Sequence, residues 1–243
     1  MEGGDHKPQG RPLVGYALSV GIVLAAVIAL VVLVAGEIGD DSDGGSIGVG
    51  ATPGDIEVER SGDAEEPEAD VYPEGGVFPT PKSGASLEAA ARTAGCELES
   101  FRVESRDHIP NLQESVRYSS APPTSGKHYA VPAADGAYEK SPFLKTIVHS
   151  LEHSRIVVWF KPELPAGGRG ALKAFFDADE DLMLLVPYAH GMDYEVAASA
   201  WNRKPKPNGT GRLLGCPEYN DEVFTALEAF KERHRGKGPE QIP

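Results

Sequence analysis

The sequence predicts an α+β (or α/β) domain built on one mixed β-sheet with flanking helices, preceded by a single transmembrane helix and a disordered stalk. Three observations lead there. Between residues 87 and 243, short β-branched and aromatic runs alternate with helical patterns in the order strand, helix, strand, strand, helix, as expected of one sheet with helices packed on it. Residues 13–35 carry no charged side chain. Between these two regions, residues 37–75 hold thirteen acids and a single base, Arg60.

The uncharged stretch comes first. At about 1.5 Å of rise per residue, a helix over residues 13–35 matches the roughly 30 Å hydrocarbon core of a bilayer. It is too long for the apolar part of a signal peptide and lacks a clean small-residue cleavage site, which predicts an uncleaved anchor. Lys7 and Arg11 precede it, whereas Glu37, Asp40, Asp41 and Asp43 follow it. The positive-inside bias then leaves residues 1–12 in the cytoplasm and everything after the span outside. The predicted localisation is therefore the cell membrane, with a single-pass anchor and an extracytoplasmic C-terminal domain.

Residues 36–86 are rich in Gly, Asp, Glu and Pro and show no sustained hydrophobic period. Such a composition buries too little apolar surface to offset ordering entropy, and its like charges repel, so a disordered, extended linker is predicted. Of the net charge of -14, -12 falls on residues 37–75. The remainder is close to neutral and has no basic stripe, which argues against a nucleic-acid partner.

The folded region, 87–243, opens with Ser86-Leu87-Glu88 starting an Ala-rich helical turn that stops at Gly95. Cys96–Val103 alternates as a strand, and Ile156–Phe160 is a β-branched and aromatic run bounded by Pro162 and Pro165, hence a buried strand. Gly170–Ala178 predicts a short helix, Leu182–Val186 and Tyr194–Trp201 two more strands, and 204–211 a Pro/Gly/Asn loop. Asn220 is placed to cap a last helix that ends in basic residues before Gly236. Cys96 and Cys216 both fall in this region, and an oxidising compartment predicts a bridge between them.

The chemistry gathers between Tyr118 and Phe160, where three of the seven histidines lie. His149 and His153 are four apart, so on a helix their Cβ atoms are about 5–6 Å apart and their rings can share one ion, whereas on a strand they would stand some 13 Å apart. Thr146–His153 contains no helix breaker. His128, at the end of the Pro122-Pro123-Thr124-Ser125-Gly126 loop, is the best third ligand, and His108 beside Ile109-Pro110 the fourth. An all-imidazole set suits Zn or Cu, with Ni and Fe also open. His6, His190 and His234 read as ordinary surface or core residues.

Two other readings stand beside metal binding. His149-Ser-Leu-Glu152-His153 matches the inverted H-x-x-E-H pattern, in which Glu152 would act as general base of a zinc-dependent hydrolase or peptidase, with Glu222 or Glu228 available as a third ligand. Alternatively the same residues form a metal-free hydrogen-bonded network in an envelope interaction or scaffold module. No Gly-rich phosphate loop, Gly-x-Ser-x-Gly elbow or Cys-x-x-Cys is present, so no nucleotide cofactor is expected.

Tyr118, the double-proline loop, His128, the His149–His153 run with Arg155 and the strand after it, Ala200-Trp201-Asn202-Arg203 and Gly238-Pro239-Glu240 together resemble domain-of-unknown-function family 3105. The likeness covers roughly Cys96–Glu240. It implies a bacterial protein with one N-terminal membrane segment, places His108 where the family usually has histidine, and brings no established activity. Ser154 stands where that family has glycine and Lys127 where it commonly has proline.

Overall fold

The computed structural model describes Met1 and residues 76–242. The anchor expected over 13–35 and most of the acidic linker lie outside the described residues, among which no helix is long and apolar enough to cross a membrane.

Twelve elements follow one another: α1 (Leu87–Ala94), β1 (Glu97–Arg102), β2 (His108–Ile109), β3 (His128–Tyr129), β4 (Gly136–Ala137), α2 (Leu144–Glu152), β5 (Ile156–Phe160), α3 (Ala166–Ala178), β6 (Met183–Pro187), β7 (Val196–Asn202), β8 (Thr210–Cys216) and α4 (Val223–His234). Six strands form one mixed sheet in the order β1-β8-β7-β5-β6-β4, and β2 and β3 make a separate two-stranded ribbon. Pairing is antiparallel from β1 to β5 and parallel from β5 through β6 to β4. The parallel β5–β6 pair requires a crossover, which α3 supplies.

Strand β5 shows how the sheet divides the core. Ile156, Val158 and Phe160 face one side, where they pack with α1, α3 and α4 through Leu172, Phe175, Phe224 and Phe230. Val157 and Trp159 face the other, against Leu144, Ile147, Val148 and Leu151 of α2. All five are buried, which explains why this strand reads as a continuous apolar run with no alternation. Each large apolar side chain removed from water contributes on the order of 1.5–3 kcal/mol.

Two elements differ from the sequence expectation because of glycine. Helix α3 begins at Ala166, ahead of the expected Gly170, and takes in three glycines. A Cβ on Gly168 would meet Leu164 and Tyr219 at 3.2–3.3 Å, and one on Gly170 would meet the backbone of Gly76 at 3.4 Å. Close packing here overrides a poor helix propensity. Strand β8 covers residues that carry no strand signal, because Gly211 and Gly215 interrupt the pattern. A Cβ on Gly211 would lie 2.2 Å from Thr124 Oγ1, and one on Gly215 would fall 2.3–2.5 Å from the Tyr194 ring.

Residues 76–86, assigned to the linker by composition, lie along α3 and α4: Gly76 N–H donates to Gly170 O, Phe78 packs on Phe175 and Phe224, and Lys82 N–H donates to Thr225 Oγ1. Helix α4 starts at Val223, and Asn220 accepts from Glu222 N while donating to Ala94 O, so it ties α4 to α1. A disulfide joins Cys96 and Cys216 with an S–S distance of 2.04 Å across 120 residues of chain. It closes the β1–β8 pair at the end where Glu97 faces Gly215.

Candidate metal centre

Helix α2 carries the site, and its own composition explains how. All nine of its residues are buried, including Lys145, Thr146, His149, Ser150 and Glu152. Buried polar groups need partners, and three of these find them in the backbone of the loops opposite. Lys145 Nζ donates to Leu112 O, Ser150 Oγ donates to Ala133 O at 2.8 Å, and His149 Nδ1 lies 2.7 Å from Tyr129 O. The helix thus pins the loop that contains β3.

The β2–β3 ribbon is only two residues long, yet it decides the site. Its parallel register sets His108 opposite His128 and Ile109 opposite Tyr129. The rings of His108, His128 and His149 form a nearly equilateral triangle, with centroids 4.8, 4.9 and 4.8 Å apart. One ligand atom from each of these rings and one carboxylate oxygen of Glu152 all lie within 4.8 Å of one another. Bonds of about 2.0–2.1 Å in a tetrahedron would place ligand atoms about 3.4 Å apart, a spacing such a cluster reaches with small side-chain adjustments.

The hydrogen bonds select the tautomers. A carbonyl oxygen can only accept, so the contacts of His128 Nδ1 with Gly126 O (2.8 Å) and of His149 Nδ1 with Tyr129 O (2.7 Å) put the proton on Nδ1 in both rings. In the neutral rings Nε2 then presents a lone pair to the cluster, the arrangement in which backbone carbonyls orient metal-bound histidines. Gly126 delivers its carbonyl from φ 131°, a conformation that disfavours any residue with a Cβ, and that Cβ would also press on the Tyr118 ring at 3.1 Å. Tyr118 Oη donates to Lys127 O and holds the same turn.

His128 Nε2 and Glu152 Oε2 are 2.9 Å apart, with side-chain exposures of 0% and 2%. The two atoms are not aligned for an N–H···O bond, and Nε2 is a buried nitrogen without a hydrogen-bond partner. A cation bound by both would satisfy each of them. The other oxygen of Glu152 accepts from Arg106 Nε at 2.6 Å, and Arg106 Nη2 reaches Glu240 Oε1 at 3.1 Å. Burial pushes the Glu152 carboxyl up, but the His128 ring when protonated and the Arg106 guanidinium outweigh it and hold it below the usual carboxylate range. Burial pushes His149 down to about 4, with the nearby His128 ring adding to it and the Tyr129 carbonyl opposing, so this imidazole is neutral at physiological pH.

His153 stands next to the group of four, outside it. It occupies the C-cap of α2, and its Nε2 lies 3.0 Å from His149 Nε2 and 3.5 Å from Glu240 Oε2. Because His149 Nε2 has no proton to give, His153 Nε2–H is the donor between them. Burial lowers the pKa of His153, and Glu240 opposes the shift.

The remaining histidines serve elsewhere. His234 is buried and accepts from Asn202 Nδ2 through Nδ1, and His190 packs on the Tyr188 ring. Glu222 pairs with Lys82 and Glu228 with Lys231, away from the cluster. His6 lies outside the described residues.

Sequence reasoning assigned no role to Arg106 or to the carboxylate of Glu240. Nothing local marks Arg106. Glu240 arrives on a strap formed by residues 236–240 that crosses the end of α2: Gly236 N–H donates to Ser154 O, Gly238 N–H to Ser154 Oγ, Ser154 Oγ–H to Glu240 O, and Glu240 N–H to Glu152 O. Ser154 has φ 76°, a left-handed conformation that glycine adopts without strain. The serine at this position instead adds a hydroxyl that bridges two strap residues.

The chain matches the family described as protein of unknown function (DUF3105) over residues 110–241. No curated protein and no solved structure matches the chain.

Proposed function

The chain belongs to this family of unknown function, so its role has to come from the site itself, and we propose that the domain binds one divalent transition-metal ion through His108, His128, His149 and Glu152. The observation that carries the proposal is the buried Nε2 of His128, whose ring donates to Gly126 O from the opposite nitrogen and which faces a carboxylate at 2.9 Å without an aligned hydrogen bond. Three imidazoles and a carboxylate, with no thiolate or thioether, suit Zn, Cu(II), Ni or Fe and disfavour Cu(I).

The hydrolase reading requires Glu152 to act as a base on metal-bound water. Both of its oxygens are engaged instead, one with Arg106 and one beside His128. This favours binding over that form of catalysis. The metal-free network reading has to fill the 2.9 Å gap between His128 Nε2 and Glu152 Oε2 with a second ring proton, in a geometry that is not aligned for a hydrogen bond. We further propose that the domain sits outside the membrane on an anchor over residues 13–35 and an acidic linker, consistent with its disulfide.

Metal analysis of the full chain, purified without a polyhistidine tag, tests the site. About one equivalent of Zn or Cu is expected. Protein that carries none, and takes up neither at neutral pH, overturns it. Protease treatment of cells stripped of their wall tests the topology: the domain should be removed while a cytoplasmic control survives, and joint protection of both refutes it.

A further inference from the structure

Glu240, His153 and His149 form a line of donors running from solvent to the buried cluster. Side-chain exposure falls from 37% at Glu240 to 12% at His153, then to 2% at Glu152 and 0% at His128. The steps along the line are 3.5 Å from Glu240 Oε2 to His153 Nε2 and 3.0 Å from there to His149 Nε2. Glu240 is not a free surface acid. Four backbone and serine hydrogen bonds hold its strap on α2, Arg106 holds its other oxygen, and Arg155 Nη1 clasps the chain beyond at Ile242 O while also binding His153 O.

The hydrogen bond between His153 and His149 makes this line more than decoration. A lone pair on His149 Nε2 cannot both accept from His153 and hold an ion. Loading the inner site therefore releases His153, whose nearest other partner is Glu240 Oε2. With its proton moved to Nδ1 through water, His153 Nε2 offers a lone pair of its own, and no net charge or electron is transferred.

We propose that His153 and Glu240 form an outer, transient metal site through which the ion enters and leaves the inner cluster, a reading that rests on the metal centre proposed above. Donors 3.0–3.5 Å apart let an ion take each new ligand before releasing the last, so it never crosses the gap bare. The ligand class is a divalent ion that accepts imidazole and carboxylate, and the domain carries that ion as exchangeable cargo.

The test follows Zn2+ uptake by the full chain, and its release to a chromogenic chelator, by stopped flow. The variants are His153→Ala, Glu240→Gln and Gly238→Ala. A Cβ on Gly238 would lie 2.5 Å from Ser154 N and 2.6 Å from Glu152 O, so the last variant lifts the strap without touching a donor. Uptake and release should both slow by about tenfold or more, the scale on which outer groups tune metal sites, while Glu240→Gln and Gly238→Ala keep an equilibrium Kd close to wild type and His153→Ala, which frees the His149 lone pair, binds no more weakly. Glu240→Gln keeps the side-chain shape and still accepts from Arg106, so it carries the test if the other variants fail to fold. Unchanged rates overturn the proposal and place the ion's path directly past exposed His108. A weakened Kd with faster release also overturns it, marking His153 as an equilibrium ligand. Wild-type protein that takes up no Zn2+ fails the metal centre itself, a result separate from either of these.

Discussion

His149→Ala removes a ligand whose ring is tied on both sides, and its effect can be worked out with and without the ion. Without metal, Tyr129 O loses its donor, and His153 Nε2–H exchanges His149 for Glu240 Oε2 at 3.5 Å. The orphaned carbonyl costs about 1–3 kcal/mol, so the metal-free variant melts a few degrees below the metal-free wild type. The diagnostic quantity is the rise in Tm on adding Zn2+. At a free ion concentration about 100 times Kd, binding stabilises the native state by about 2.7 kcal/mol. For a domain of this size 1 kcal/mol corresponds to about 2–4 °C, so wild type should gain about 5–11 °C. His149→Ala should gain nothing, and His190→Ala, outside the cluster, should keep the full rise. The assay is a thermal melt of the detergent-solubilised full chain, each variant compared with its own chelator-treated baseline. A His149→Ala variant that keeps the wild-type rise, or a wild type unmoved by Zn, Cu, Ni and Fe alike, refutes the ligand assignment.

Glu152→Gln should abolish the ion-induced rise with little change in chelated protein, because Gln can still accept from Arg106 and can donate to His128 Nε2; full ion retention together with loss of a hydrolytic activity would instead identify Glu152 as a base. Replacing Cys96 and Cys216 with Ser removes a 120-residue closure, worth roughly 5 kcal/mol in the chain-entropy model, or about 10–20 °C in Tm; free thiols in denatured, unreduced wild-type protein would exclude the bridge. In chelator-treated protein, buried His149 (lowered to about 4) and His234 (lowered to about 3) are neutral when folded and bind protons when unfolded. The unfolded state therefore takes up more protons below about 6.5, and stability present above that pH is lost as pH falls toward 4, on the order of 2 kcal/mol per histidine after solvent screening. Denaturant melts between pH 4 and 7 that show a flat midpoint would contradict this.

Helices α1 to α4 and strands β1, β5, β6 and β7 were legible in the chain because their signals are local, whereas β8 and the two-residue strands β2, β3 and β4 were not. The run Ile156–Phe160, the unbroken stretch before His153 and the Ser86 and Gly95 stops act within a few residues, and the structure places elements there with ends moved by one or two positions. The His149–His153 spacing implied one helical turn, and both rings do meet at the end of α2. The triangle of His108, His128 and His149 depends on something no window shows, a two-residue parallel ribbon whose register puts residue 108 beside residue 128. Tertiary structure also decided which acid faces the cluster, because Glu152 lies between the two histidines in sequence but turns its carboxylate toward His128. Arg106 and Glu240 come from opposite ends of the domain, 134 residues apart; nothing near Arg106 marks it, and the Gly238-Pro239-Glu240 run that resembles the family does not reveal where its carboxylate points. The glycines of β8 and α3 follow the same rule: they look like breaks locally and are required by what presses against them from distant chain. Periodicity and turn chemistry are written in neighbours, whereas a buried site is the sum of contacts between segments that meet only once the sheet has closed.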